Sequence, residues 1–323
     1  MTNAVAAALL AGVVAYAVFG GADFGAGFWD LTAGGAEAGR RPRALVDHSI
    51  GPVWEANHTW LIYCLVVLWT AFPDAFAAIM TTLYIPLGLA ALGIVLRGSG
   101  FAFRKAVVHT EHQRVAGATF AVSSVITPFF FGTIIGGIAS GRVPTQGHGD
   151  AVRSWVNPSS MATGALAVAI CAYLAAVFLT ADAHRIGDAE LQTWFGVRAA
   201  LAAAVAGVTA AVDLVIAHHD APRLFDQLTG KALPLTLLSV MFGSAALALM
   251  RAGSPRLVRF LAGAAVAALV AGWGAAQHPY LLGTHARLSE MAAPHASLTS
   301  LVVITAIAAA LIGPSFLLLY LLQ

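Results

Sequence analysis

The sequence predicts an all-α protein, a polytopic membrane helical bundle of about nine transmembrane helices forming a single integral membrane domain over residues 1–323. Three observations predict it. Of the 323 residues, 59% are hydrophobic and only 10% charged, whereas soluble domains carry about 25% charged residues. Mean hydropathy is +0.82. The apolar residues also fall in long runs separated by short polar patches, the pattern of stacked membrane spans.

A hydrocarbon core about 30 Å thick needs roughly 20 helical residues. Nine segments qualify: 3–23, 53–72, 76–96, 117–139, 161–182, 194–216, 233–250, 257–276 and 297–321. A tight turn at Phe72-Pro73-Asp74 joins the second to the third, and the charged stretch Arg251 to Arg256 separates the seventh from the eighth. The N-terminus has no positive region before its apolar run, so the first segment is expected to be a retained helix rather than a cleaved signal. Pro52 suits the first turn of the second helix, where its missing N–H is of no consequence.

Orientation follows from the cations. Loops and helix ends after odd-numbered spans hold Arg40, Arg41, Arg43, Arg97, Arg104, Lys105, Arg114, Arg185, Arg198, Arg251, Arg256 and Arg259; those after even spans hold Arg142, Arg153, Arg223, Lys231 and Arg287. The split of 12 against 5 accounts for all 17. It predicts an N-terminus outside and a C-terminus in the cytoplasm. Val18-Phe19-Gly20-Gly21-Ala22-Asp23 echoes Val177-Phe178-Leu179-Thr180-Ala181-Asp182. That is a weak sign of a parallel repeat (1–140 and 160–276), two four-helix units plus one helix.

Ionisable residues at membrane depth usually face a bundle interior and mark ion or proton paths. Asp23 stands in the Gly-rich string Gly20 to Gly35, whose small residues allow close helix approach. Asp30, seven residues on, shares its helix face. Trp54-Glu55-Ala56-Asn57-His58-Thr59-Trp60 puts a carboxylate, an amide, an imidazole and two indoles within seven residues. Glu55 lies in the first helical turn, on the favourable side of the helix dipole, and shares a face with His58 and Thr59. By the charge asymmetry both acids are on the cytoplasmic side and could line one route for protons. Against this stand plainer readings: Asp23 pairing with a loop arginine, Glu55 as a helix cap, and Trp54 and Trp60 as an interfacial belt. Near the end of the eighth span, Pro279 frees carbonyls beside Gln277 and Tyr280. Those two side chains are weak candidates for a quinone or subunit contact, against an ordinary helix end.

Other chemistry is disfavoured. A net charge of +2 without an aromatic-interleaved basic patch gives no reason to expect nucleic acid. Cys64 and Cys171 lie inside apolar runs, without a CxxC pair, and read as small core residues. The Gly-rich string follows a membrane helix rather than a strand, so it is no dinucleotide loop. All 11 histidines (His48, His58, His109, His112, His148, His184, His218, His219, His278, His285 and His295) fall in loops or at span ends. Heme in a membrane takes axial ligands from helices. No metal site and no cofactor is therefore expected on this chain.

Gly21-Ala22-Asp23-Phe24-Gly25-Ala26-Gly27 followed by Pro52-Val53-Trp54-Glu55-Ala56-Asn57-His58-Thr59-Trp60-Leu61-Ile62 resembles subunit II of the cytochrome bd-type quinol oxidases, as do Phe178 to Asp182 and Trp273 to Leu281. The resemblance runs the length of the chain in helix count and motif order. It implies a partner, the heme-bearing subunit I with b- and d-type hemes, and a complex of the respiratory chain that oxidises quinol and reduces O2 to water. It also implies a bacterial cell membrane, membrane lipid around the chain, and room for small accessory subunits and a structural quinone. Asp23 and Glu55 would then belong to a cytoplasmic proton path or to the subunit interface, with Trp54, Asn57 and Trp60 shaping that region or an oxygen path. His58 departs from the neutral residue the family pattern places there. Two rivals remain: a proton-coupled secondary transporter, and a scaffold subunit whose acids only fix contacts.

Overall fold

The computed structural model describes residues 1–51, 54–106, 110–250 and 254–321. Pro52, His109 and Arg251 lie outside the described residues, and with them the expectation for Pro52 as a helix start.

The chain is built from helices, as the apolar runs require of backbone that cannot hydrogen-bond to lipid. The first span is one continuous rod of α1 (Thr2–Ala15), a π-helical turn (Tyr16–Gly20) and α2 (Gly21–Leu31). It runs eight residues beyond the predicted end at Asp23, because the Gly-rich string is itself helical. A short amphipathic helix, α3 (Arg40–Ile50), follows. Next come α4 (Trp54–Ala71) and α5 (Pro73–Thr82), which meet at 118°. Pro73 occupies the first turn of α5, where the proline ring and absent N–H favour a new helix start. α6 (Tyr84–Ala106), α7 (Thr110–Ala139), α8 (Pro158–Arg185) and α9 (Ala189–Asp220) complete the middle of the bundle. α10 (Pro222–Thr229) bends by 69° into α11 (Leu233–Leu249); α12 (Pro255–Gln277) and α13 (His295–Leu321) end the chain. Among the described residues seven helices are long and apolar enough to cross a membrane, or nine if each bent pair is one span.

Helix starts are written locally. Asn157 Oδ1 accepts from the Ser160 N–H at 2.9 Å and opens α8; Asp188 Oδ1 accepts from Leu191 N–H at 3.0 Å and opens α9; Ser254 does the same for α12. Such side-chain caps are worth about 1 kcal/mol each. A two-stranded hairpin, β1 (Tyr280–Leu282) with β2 (Ala286–Arg287), links α12 to α13.

Two contacts set how closely the helices pack. A Cβ on Gly25 would fall 1.8 Å from the Cys171 carbonyl oxygen, so α2 lies directly on the α8 backbone. Gly132 and Gly136, four residues apart on α7, meet the α8 backbone at Thr163 and Ser160 in the same way. One core is centred on α8, which is buried along most of its length by α2, α9 and α12. A second gathers Val5, Val67, Phe72, Leu83 and Leu298 around the α4–α5 turn. Large apolar side chains outside these cores, such as Trp69, Val208, Val240, Ile304 and Leu311, are exposed. In a bilayer such positions face lipid or another chain rather than water.

Candidate functional site

One set of buried polar residues gathers around α2. Asp23, 6% exposed, accepts a hydrogen bond from Asn57 Nδ2 of α4 at 2.5 Å, and the same amide reaches the Phe19 carbonyl at 3.3 Å. The Phe19 carbonyl belongs to the π-helical turn, a local rewinding that often re-aims backbone groups at functional sites. On the other side is Arg97 of α6, only 1% exposed. Its Nη2 donates to the Asp23 carbonyl oxygen and its Nε to Ser124 Oγ, both at 3.1 Å. Its guanidinium lies 4.9 Å from the centroid of Phe24 and 5.2 Å from that of Phe120. The buried charges Arg97 and Asp23 thus sit in one network closed by Asn57, Ser124 and two aromatic faces.

Arg97, counted among the loop and helix-end cations after the third span, is instead interior: α6 runs on to Ala106, which carries Arg97 into the bundle. A signal for this was present. Arg97 and Arg104 are seven apart, matching the spacing of Asp23 and Asp30, and both pairs lie on helices. Arg104 pairs with Asp30 and Asp47, while Arg43 Nε donates to Asp30 Oδ1 at 2.9 Å. Asp30 is accordingly a buried ion-pair hub rather than a second acid beside Asp23.

The acidic and aromatic residues of α4 separate. Asn57 faces inward, whereas Glu55 and Thr59 are exposed on the outer side of α4. The structure therefore does not bring Glu55 together with Asp23; residues two apart on a helix point in divergent directions. Trp54 packs on Phe101 with ring centroids 5.6 Å apart and stands edge-on to His58 at 6.3 Å. His58 also meets Tyr16 and Phe24, each at 6.3 Å. Among the described residues the Tyr16 hydroxyl and His58 Nδ1 are buried without a hydrogen-bond partner, as at positions that take a water or serve a function. Trp60 is half-buried on the same helix.

Gln277 and Tyr280 each have a partner within the chain. Gln277 Nε2 donates to the Gly283 carbonyl at 3.1 Å, and Tyr280 carries Arg223 over its ring at 4.1 Å. Both hold the β1–β2 hairpin. Sequence reasoning also passed over Asp213 within α9, which accepts from Thr163 Oγ1 at 3.2 Å. Asp182 is a further hub: Ser49 Oγ donates to it at 2.9 Å, Arg185 at 3.0 Å, and Arg259 also pairs with it. Among the described residues no group of three or more His, Cys, Asp or Glu converges in a way that could hold a metal ion.

A cavity of about 1070 Å³ runs from His48, Ser49 and Asp182 along α1, α2, α8 and α12, with Asp23 and Asn57 in its wall. The fold that frames it is a known one. Over 98% of its length the chain superposes on the bd oxidase from Geobacillus thermodenitrificans, covering 96% of that chain with a TM-score of 0.83 at 20% identity. The whole chain, residues 1–323, also matches the family Cytochrome bd terminal oxidase subunit II. The chain belongs to this family.

Its relatives include the cytochrome bd ubiquinol oxidase subunit 2 of Bacillus subtilis (strain 168), 29% identical over 175 residues, 53% of this chain and 49% of the relative. The cytochrome bd-I ubiquinol oxidase subunit 2 of Escherichia coli (strain K12) is 28% identical over 135 residues, 41% of this chain and 35% of the relative. The matched segments thus span half or less of these curated relatives. Subunit II membership gives an integral membrane protein, as the composition predicts, and leaves the transporter reading without support.

Proposed function

We propose that this chain is the second subunit of a bd-type quinol:oxygen oxidoreductase in a bacterial cell membrane, paired with a heme-bearing subunit I. The b- and d-type hemes, quinol oxidation and O2 reduction belong to that partner in this reading. Placement of the N-terminus outside and the C-terminus in the cytoplasm rests on the cation split, 11 against 5 once the buried Arg97 is taken out of the 12.

The observation that carries a role for this chain beyond bulk packing is the Asp23–Asn57–Arg97–Ser124 network. Reduction of O2 to water consumes protons. A carboxylate in an apolar bundle, held by the Asn57 amide, with the Arg97 guanidinium on its own main-chain carbonyl, and lining a cavity that begins at His48 and Ser49, can take up and release one. Arg97 compensates the charge while Asn57 fixes the orientation of the carboxylate. Glu55 is exposed on the outer side of α4, and we assign it to the subunit interface. Trp54 and Trp60 shape the α4 face between these two regions.

The test is to purify the chain through a C-terminal tag in mild detergent, record a reduced-minus-oxidised spectrum, and measure quinol-dependent O2 consumption. A co-purifying partner with b- and d-type signals is expected. A lone, heme-free chain, stable without a partner, would sink the oxidase reading. In the assembled complex, Asp23→Asn is expected to keep heme content and slow turnover by about tenfold or more, while Glu55→Gln lowers recovery of the complex. Full turnover in Asp23→Asn would leave the network with a structural role only.

A further inference from the structure

The cavity beside α1 and α2 has a form that the proton reading does not use. Its long walls are apolar: Val14, Val18 and Ala22 on one side, Phe260, Ala264 and Ala267 on the other. Its polar end gathers Arg185, Arg259, Asp182, His48 and Ser49. Protein interiors close-pack and leave few voids larger than a water molecule. A space of about 1070 Å³ with mostly hydrocarbon walls offers water few partners, but it fits an elongated apolar tail.

The charges at the polar end determine which head group such a molecule carries. Two guanidiniums, Arg185 and Arg259, converge on a single carboxylate, Asp182. Two positive charges against one negative leave one uncompensated, before His48 is considered. Asp23 lies deeper in the wall and is served by Arg97 from the other side. Among the described residues Arg259 also keeps a buried Nε–H with no acceptor, an arrangement that is costly for a charged donor unless a ligand supplies the acceptor. Arg185 is half-exposed at the rim.

We propose that this groove is a binding site for one anionic phospholipid of the leaflet on the arginine-rich side of the membrane. Its phosphate bonds to Arg259 and Arg185, and one acyl chain lies along α1 and α12. Basic pockets between membrane helices on the cytoplasmic side recognise acidic head groups in this manner, and arginine is the side chain best matched to phosphate. An uncharged head group would leave the extra positive charge unanswered. A bound lipid would also seal the apolar flank of the Asp23 network, so that protons reach Asp23 from the polar end and not from the bilayer.

The test is native mass spectrometry with lipid extraction on the complex purified from cell membranes in mild detergent. The unmodified complex is expected to retain one phosphatidylglycerol-class lipid per copy of this chain. Occupancy should fall about tenfold or more, on the order of 1.4 kcal/mol, in the Arg185→Gln/Arg259→Gln pair. Ala264→Phe, which fills the trough and leaves every charge in place, should lose the lipid as fully. Adding dioleoyl phosphatidylglycerol to delipidated complex should raise its apparent Tm, and dioleoyl phosphatidylcholine should not. The proposal is overturned if the unmodified complex retains no anionic lipid, or if both variants keep it. It is overturned equally if a quinone or an uncharged lipid is what Ala264→Phe expels.

Discussion

Replacing Arg97 by methionine tests whether the Asp23 network is an electrostatically coupled unit or a set of independent contacts. Methionine keeps the long apolar stem that passes Phe24 and Phe120 but removes the guanidinium. Two hydrogen bonds are lost, to Ser124 Oγ and to the Asp23 carbonyl, with both ring contacts. The Asp23 carboxylate, 6% exposed, then lacks its nearby cation. Arg97 bonds to the Asp23 main chain rather than to its carboxylate, so the cost of about 3–5 kcal/mol for breaking a direct buried charge pair is an upper bound. For a chain of this size each kcal/mol moves an apparent Tm by about 2–4 °C, giving a fall of at most roughly 20 °C. Asp23→Asn in the same background removes the stranded charge and retains an acceptor for Asn57. The double variant should therefore be no less stable than Arg97→Met alone, with a coupling of about 1–3 kcal/mol. The assay is thermal denaturation of the purified complex, followed by tryptophan fluorescence at a fixed scan rate, because such unfolding is commonly irreversible. Strictly additive losses in the double variant would refute the argument that Arg97 compensates Asp23.

Three further predictions follow from packing, ion pairing and capping. Gly25→Ala forces α2 away from the Cys171 carbonyl and should cut the yield of assembled complex, at 1–3 kcal/mol or about that for overpacking. Gly207→Ala, where a Cβ meets nothing within 4 Å, should leave that yield unchanged; equal effects on a native gel would remove the close-packing argument. Asp182→Asn leaves Arg185 and Arg259 without their shared carboxylate and should lower stability by about 1.5–3 kcal/mol in the same melt; no loss would mean the hub is idle. Asp188, outside the spans, is held below the usual carboxylate range by the Leu191 N–H it caps and by Arg41. A depressed folded value gives stability that is present above the unfolded value and lost as pH falls through the folded one. Asp188→Asn should thus melt below the unmodified complex near neutral pH, and the gap should close below the carboxylate range. A gap that persists in acid would exclude the ion pair as its cause.

The sequence by itself determined the class of molecule. Charge scarcity and apolar run length leave a chain no option but to pass its helices through lipid, and these are local, additive properties that any window of residues reports. It also exposed Asp23 and Asn57, since polar residues stand out against such a background, and it exposed the family through the Trp54 to Ile62 string. Partners across helices were a different matter. Whether Asn57 or Glu55 turns toward Asp23 depends on the rotation of α4 about its axis, which the α1–α4 packing sets and the residue order does not. Arg97 counted as a loop or helix-end cation because the predicted span 76–96 stops just before it, yet α6 continues to Ala106 and buries it. The groove of Arg185, Arg259 and Asp182 combines residues from α8 and α12 with Ser49 and His48 of α3. Only tertiary structure could assemble those, because a charge more than 70 positions away in sequence finds its partner through the packing of the helices that carry them both.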